Sequence, residues 1–190
     1  MKTNPPAKHL VQPVKLFAAM LFRDPERLAL ARAAMCERYG EEDFAGSAFP
    51  FSHTNFYQPE MGAPLYRVFL SFRKLVPPGE LAGAKLNSDQ IEKALAGPEG
   101  GRTVNIDPGT IDYQKVVLAS FKYQGQKIYL RDGVWADLTL YYRKGGWSSF
   151  EWTFPDFKTG DYDGELLEIR RLYKQQMLEQ NGGQPGRRAG

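Results

Sequence analysis

The residues best suited to chemistry stand in one short run, Asn105-Ile106-Asp107-Pro108-Gly109. Asn105 and Asp107 are polar side chains two apart at the end of a short strand over Arg102–Asp107, which puts them on one strand face. The Pro-Gly pair then reads as a turn. The sequence beyond it predicts a helix over about 110–121, central because Val116-Val117-Leu118-Ala119 is apolar nearly all round. A helix N-terminus there would bring free backbone donors suited to an anion. Lys115 and Lys122, seven apart, would lie on one side of that helix and reach the same region. Asp107 and Glu60 are the candidate catalytic and metal-ligating carboxylates, acting as base or holding a divalent ion. With oxygen ligands and no thiolate, magnesium is the metal implied. The candidate ligand-binding set is Asn105, Asp107, Gly109, Lys115, Lys122 and Arg67, the last on a strand face with Phe69, Ser71 and Arg73. The expected ligand is a small anion, a nucleotide or phosphorylated metabolite. The plain alternative is that Asp107 caps the turn and both lysines are solvated.

Other motifs carry less. No Gly-Lys dipeptide occurs, which excludes the usual phosphate loop; no Gly-x-Gly-x-x-Gly follows a strand, and no Gly-x-Ser-x-Gly elbow is present. His53-Thr54 reads as a surface or turn histidine, and Cys36 as helix packing with no base placed beside it. Lys144-Gly145-Gly146-Trp147 faintly resembles the start of an RNA-binding strand, but a hairpin turn before an aromatic explains it better. Asp137, Thr139, Tyr141 and Arg143 share a strand face that is second-rank as a site. Trp152-Thr153-Phe154-Pro155-Asp156-Phe157 either latches the last helix onto the sheet or lines a pocket.

Charge bears on partners. The chain of 190 residues carries a formal +3, yet four of its cations, Lys2, Lys8, Arg187 and Arg188, lie in ends that hold no acid. Residues 13–180 are left with a net charge of −1. Nucleic acid would therefore have to be bound through the tails. The alternative function is a non-enzymatic interaction module, binding protein or RNA through an aromatic hairpin and these basic tails. One cysteine allows no intrachain disulfide, and no run approaches the 18 or so apolar residues of a membrane span. The N-terminal residues lack the apolar stretch of a signal peptide, so a cytoplasmic location is expected.

The elements that would position these residues follow from patterning. Val14–Phe22 is nearly continuous apolar sequence, fit for a strand buried on both faces. Asp24-Pro25-Glu26 starts a helix with Leu28, Ala31, Met35 and Tyr39 on one side, and Gly40 closes it. Residues 41–65 read as a long connection with a short strand near Phe49–Phe51. A strand runs from Tyr66 to Arg73; helical sequence resumes weakly at Glu80 and firmly over Ser88–Ala96. Arg131-Asp132-Gly133 turns a hairpin between 127–130 and 134–143, and an extended segment covers Trp147–Phe154. Leu166, Ile169, Tyr173 and Met177 line a last helix over 163–180. The expectation is an α+β fold: one compact domain over 13–180, a mixed or antiparallel sheet with a late hairpin, helices packed on it and a C-terminal helix. Segment 1–12 is expected to be flexible, and 181–190 a disordered basic tail.

Six blocks in order, Pro13–Phe17, Tyr57–Gly62, Arg67-x-Phe69-x-Ser71-Phe72, Asn105–Gly109, Ile128–Leu130 and Trp152–Asp156, resemble the prokaryotic domain-of-unknown-function family 4416 over about residues 13–178. The resemblance implies one compact domain. It implies no catalytic residue or cofactor, and the GTP-binding label given to some members finds no phosphate loop or Asn-Lys-x-Asp here. Ser120-Phe121 stands where Thr-Thr is frequent, Asp137 where Glu is, and Phe154 and Phe157 where Tyr is. Roles needing those hydroxyls or the longer carboxylate do not carry over.

Overall fold

A central strand flanked on both edges organises the molecule. In the computed structural model, which describes residues 11–180 and 182, β1 (Val14–Phe22) has all nine side chains buried. It pairs with β4 (Leu65–Val76) on one edge and β5 (Val104–Ile111) on the other. The remaining strands are β2 (Glu42–Ala45), β3 (Phe49–Phe51), β6 (Lys115–Ser120), β7 (Ile128–Arg131), β8 (Val134–Arg143) and β9 (Gly146–Ser149). They form one sheet in the order β2-β4-β1-β5-β6-β8-β7, with β3 on β4 and β9 on β8, and every pairing is antiparallel.

Alternation along β1 sends Leu16, Ala18, Met20 and Phe22 to one face, beneath α1 (Pro25–Tyr39) and α3 (Glu80–Ala94). Phe17 and Ala19 go to the other, where α5 (Asp163–Gln180) inserts Leu166 and Ile169. Two short helices, α2 (Gln58–Met61) and α4 (Pro155–Lys158), complete the chain. The fold is α+β with helices on both faces of an antiparallel sheet and a C-terminal helix, as patterning indicates. Helix α1 begins where expected: Asp24 accepts from the Glu26 N–H at 2.8 Å, and Pro25 occupies the first turn. In the β7–β8 turn Asp132 and Gly133 have φ of +53° and +76°, the left-handed pair of a type I′ hairpin. Lys144 and Gly145 repeat that geometry between β8 and β9, so Lys144-Gly145-Gly146-Trp147 is a turn and not a recognition strand. The four tail cations and His9 lie outside the described residues.

One expectation is overturned. No helix follows Gly109: β5 runs on to Ile111, Asp112 accepts from the Gln114 and Lys115 N–H groups at 2.7 and 2.9 Å, and β6 returns. The run Val116–Ala119 is apolar all round because its strand is covered on both faces. Val116 and Leu118 enter the core beneath α5, while Ala119 and Val117 pack with Leu81 and Ala82 of α3. Smaller differences concern extents: α3 is continuous from Glu80, β2 arises within 41–65, and the segment after β9 ends in α4.

The β5–β6 ladder is short. It joins only Gly109–Ile111 to Val116–Leu118, and beyond these pairs the strands part. Pro108 explains the break. The Ile106 N–H and C=O bond to α3 side chains on the edge away from β1. By alternation Pro108, two residues on, faces the same edge, and it has no N–H to offer β6.

Candidate functional site

Where β5 and β6 separate, a cavity of about 1130 Å³ opens, above the roughly 300–1,000 Å³ of common small-molecule sites. Helix α3 spans the opening, packing Ala84 and Ile91 beside β5 and Leu81 and Ala82 beside β6. Two of its side chains, seven residues apart, take the place of the missing strand. Glu92 Oε1 accepts from the Ile106 N–H at 2.6 Å, and Lys85 Nζ donates to the Ile106 carbonyl at 3.0 Å. Lys85 also reaches the Asp107 carboxylate at 3.2 Å.

From there a chain of hydrogen bonds runs along the wall. Asn105 Nδ2 donates to Asp107 Oδ2 at 2.9 Å, and Arg102 donates to Asn105 Oδ1 at 2.9 Å and to Glu60 at 2.6 Å. Opposite, buried Lys127 pairs with buried Asp137 at 3.3 Å and donates to Ser120 Oγ at 3.0 Å. The inner end holds Arg67, 5% exposed and only 3.4 Å from Asp156 Oδ2 in a loose ion pair. Its guanidinium lies over the Phe51, Phe157 and Tyr162 rings at 4.9, 5.6 and 5.8 Å. Neither Arg67 Nε nor Asp156 Oδ2 has a hydrogen-bond partner. The mouth carries exposed rings, Phe56, Phe121, Tyr123 and Phe154. There the Lys122 ammonium sits 3.8 Å from the centre of the Phe56 ring, with no carboxylate in ion-pair range among the described residues.

Six basic and six acidic side chains line the cavity, so its formal charge cancels and local pairing decides its character. Burial pushes the Glu92 carboxyl up to about 7, against the pull of Lys85. Burial alone would raise Asp107 too, but the charges of Lys85 and Arg67 and the bonds from Lys85 and Asn105 hold it below the usual carboxylate range. Burial raises the Asp137 carboxyl despite Lys127, and raises the Tyr57 hydroxyl well above its ordinary value.

Of the residues singled out from sequence, Glu60, Arg67, Asn105, Asp107 and Lys122 converge on this cavity. Gly109 and Lys115 do not. Gly109 is buried in β5, where a Cβ would collide with the Phe17 ring and Leu118. Lys115 is an exposed side chain paired with Asp112 at the β5–β6 turn. Without a helix over 110–121, the two lysines share no helical side, and the anion-binding helix N-terminus does not exist. Glu60 and Asp107 are not joint metal ligands, since Arg102 and Asn105 stand between them and each already binds a cation. Among the described residues no three His, Cys, Asp or Glu side chains gather as metal ligands. The Phe154–Phe157 segment both lines the cavity and anchors Phe157 in the core beneath α5. Lys85, Glu92, Arg102 and Lys127 escaped the sequence reading. A signal existed for two of them: Leu81, Lys85, Ser88 and Glu92 form a stripe on the buried side of α3.

The fold and cavity thus define an antiparallel α+β protein with a charged, aromatic-rimmed pocket at a parting of its sheet. The chain belongs to the family described as a domain of unknown function, DUF4416, whose model matches residues 12–173. No curated protein and no solved structure matches the chain. No helix among the described residues is long and apolar enough to cross a membrane.

Proposed function

We propose that the cavity binds a small organic anion, a nucleotide or phosphorylated metabolite, without a metal ligand set from the protein. The observation that carries this reading is Lys122: an ammonium at the cavity mouth, seated on an aromatic ring and without a carboxylate partner. It supplies a point charge for a phosphate, and the neighbouring rings supply flat apolar surface for the rest of the ligand. The volume is sufficient for a nucleotide-sized molecule. Thermal melting against nucleotides and sugar phosphates, with and without magnesium, tests it. A ligand at about 100 times its Kd stabilises by about 2.7 kcal/mol. The melting temperature is expected to rise without need of magnesium, and the rise to shrink in Lys122→Ala. No shift at roughly millimolar ligand overturns the proposal.

A second reading, binding of an extended protein segment, rests on β7. It is the last strand in the sheet order and exposes Ile128, Tyr129 and Leu130 beside the Tyr129–Trp135 ring pair. A partner strand would add to that edge through main-chain hydrogen bonds. Substituting Leu130→Pro, which removes an N–H from the strand, is expected to abolish capture of such a partner while small-anion binding persists.

A further inference from the structure

We infer that the inner end of the cavity takes a neutral planar group presenting a hydrogen-bond acceptor beside a donor, as a nucleobase edge does, with the ligand's anionic group outward at Lys122. This rests on the proposed small-anion site and adds the ligand's class and direction. Three buried polar atoms near this end lack partners: the Tyr162 hydroxyl, which is not part of the cavity lining, and two on lining residues, Arg67 Nε, which can only donate, and Asp156 Oδ2, which can only accept when ionised. The last two belong to one loose pair, its nearest nitrogen and oxygen 3.4 Å apart. Leaving a buried donor or acceptor unmet costs about 1–3 kcal/mol, so such atoms in a cavity wall mark what a ligand brings.

A phosphate would meet Arg67 but face the Asp156 carboxylate, and an ammonium would meet Asp156 but face the guanidinium. A neutral edge with acceptor and donor side by side satisfies both. The surroundings suit a flat group, for Phe51 and Phe157 line this end and flank the guanidinium at 4.9 and 5.6 Å.

Calorimetric titration of the protein with the four ribonucleoside 5′-monophosphates, ribose 5-phosphate and inorganic phosphate tests the inference. At least one nucleoside monophosphate is expected to bind about tenfold or more tighter than ribose 5-phosphate, the equivalent of one well-placed buried hydrogen-bond pair. In the double variant Arg67→Met, Asp156→Leu, which removes both polar partners together, that preference is expected to vanish while ribose 5-phosphate affinity holds. Lys122→Ala should weaken all phosphorylated ligands alike. Should the double variant fail to fold, Asp156→Asn serves, because a donor amide in place of an acceptor re-ranks the four bases. Equal binding of ribose 5-phosphate and every nucleotide, or a preference unchanged in these variants, overturns the inference and leaves the small-anion site standing. No binding by any of the six ligands overturns both.

Discussion

Two buried cations in this sheet are treated in opposite ways. Lys15, in β1, has no solvent exposure, and its three donors are met by Asp43 at 2.6 Å, the Phe72 carbonyl at 3.0 Å and Gln176 Oε1 at 2.9 Å. Asp43 in turn accepts from Ser71 Oγ at 2.7 Å, so the cluster closes on itself and ties β2, β4 and α5 to the central strand. Burial lowers the Lys15 ammonium, and the Asp43 carboxylate works against that shift. Arg67, in β4, is nearly as hidden, yet it keeps an idle donor, a loosely paired carboxylate and a cavity in front of it. A saturated buried charge fastens secondary structure together; an unsaturated one beside a cavity keeps hydrogen-bonding capacity that the fold does not use. The contrast separates Lys15, a better hydrogen-bonded charge than any in the cavity, from the residues proposed to meet a ligand.

The largest effect expected is at the saturated cluster. Lys15→Met strands a buried carboxylate at Asp43, which costs about 3–5 kcal/mol by urea unfolding, with ligand affinity unchanged in the folded fraction. A loss below about 1 kcal/mol would break the contrast. Next comes Glu92, whose folded carboxyl, at about 7, titrates above its ordinary 4.5. Between those two values the unfolded chain ionises first, so its contribution to stability is fully present below about pH 4.5 and lost as pH rises to about 7. At 1.36 kcal/mol per unit the loss is about 3 kcal/mol. Urea titrations from about pH 4 to about pH 8 should show it in the native protein and not in Glu92→Gln, whose side chain does not ionise. The double variant Arg67→Met, Asp156→Leu is expected to change stability by no more than about 1 kcal/mol, since both members of a poor pair leave together. A penalty there as large as that of Lys15→Met would place Arg67 among the fasteners. The smallest effect belongs to Lys115→Ala, an exposed charge away from the cavity, expected to alter stability by about 0.5 kcal/mol or less and ligand binding not at all.

Much of the frame was readable from the chain. Continuous burial of β1, the Asp24-Pro25 start of α1, the Asp132-Gly133 turn and the Leu166–Met177 stripe each depend on neighbours in sequence, and each is found. The reading of 110–121 failed because an apolar run of four fits a buried strand and a buried helix alike, and period alone does not distinguish them. Two adjacent β-branched valines favoured the strand. Pro108-Gly109 suggested a turn because the edge on which Pro108 lacks its N–H is a fact of pairing, decided by β1 and β6 together. Glu60, Arg67, Asn105, Asp107 and Lys122 were chemically apt by residue type and local sequence alone, and the fold puts them on one cavity. Lys85 and Glu92 were not, since a lysine and a glutamate on a helix ordinarily mark its wet side, and only the parting of β5 and β6 gives them buried work.

That parting leaves one backbone amide in an uncommon position. The Ile106 N–H is held by a carboxylate that changes charge near neutrality, in place of the carbonyl of an adjoining strand. A charged acceptor makes a stronger bond than a neutral one. The Ile106 amide is accordingly a built-in gauge: its proton resonance should move as Glu92 gains or loses its proton, and its exchange with solvent deuterium should slow when a ligand closes the cavity. One labelled site would then follow both the charge state and the occupancy of the pocket.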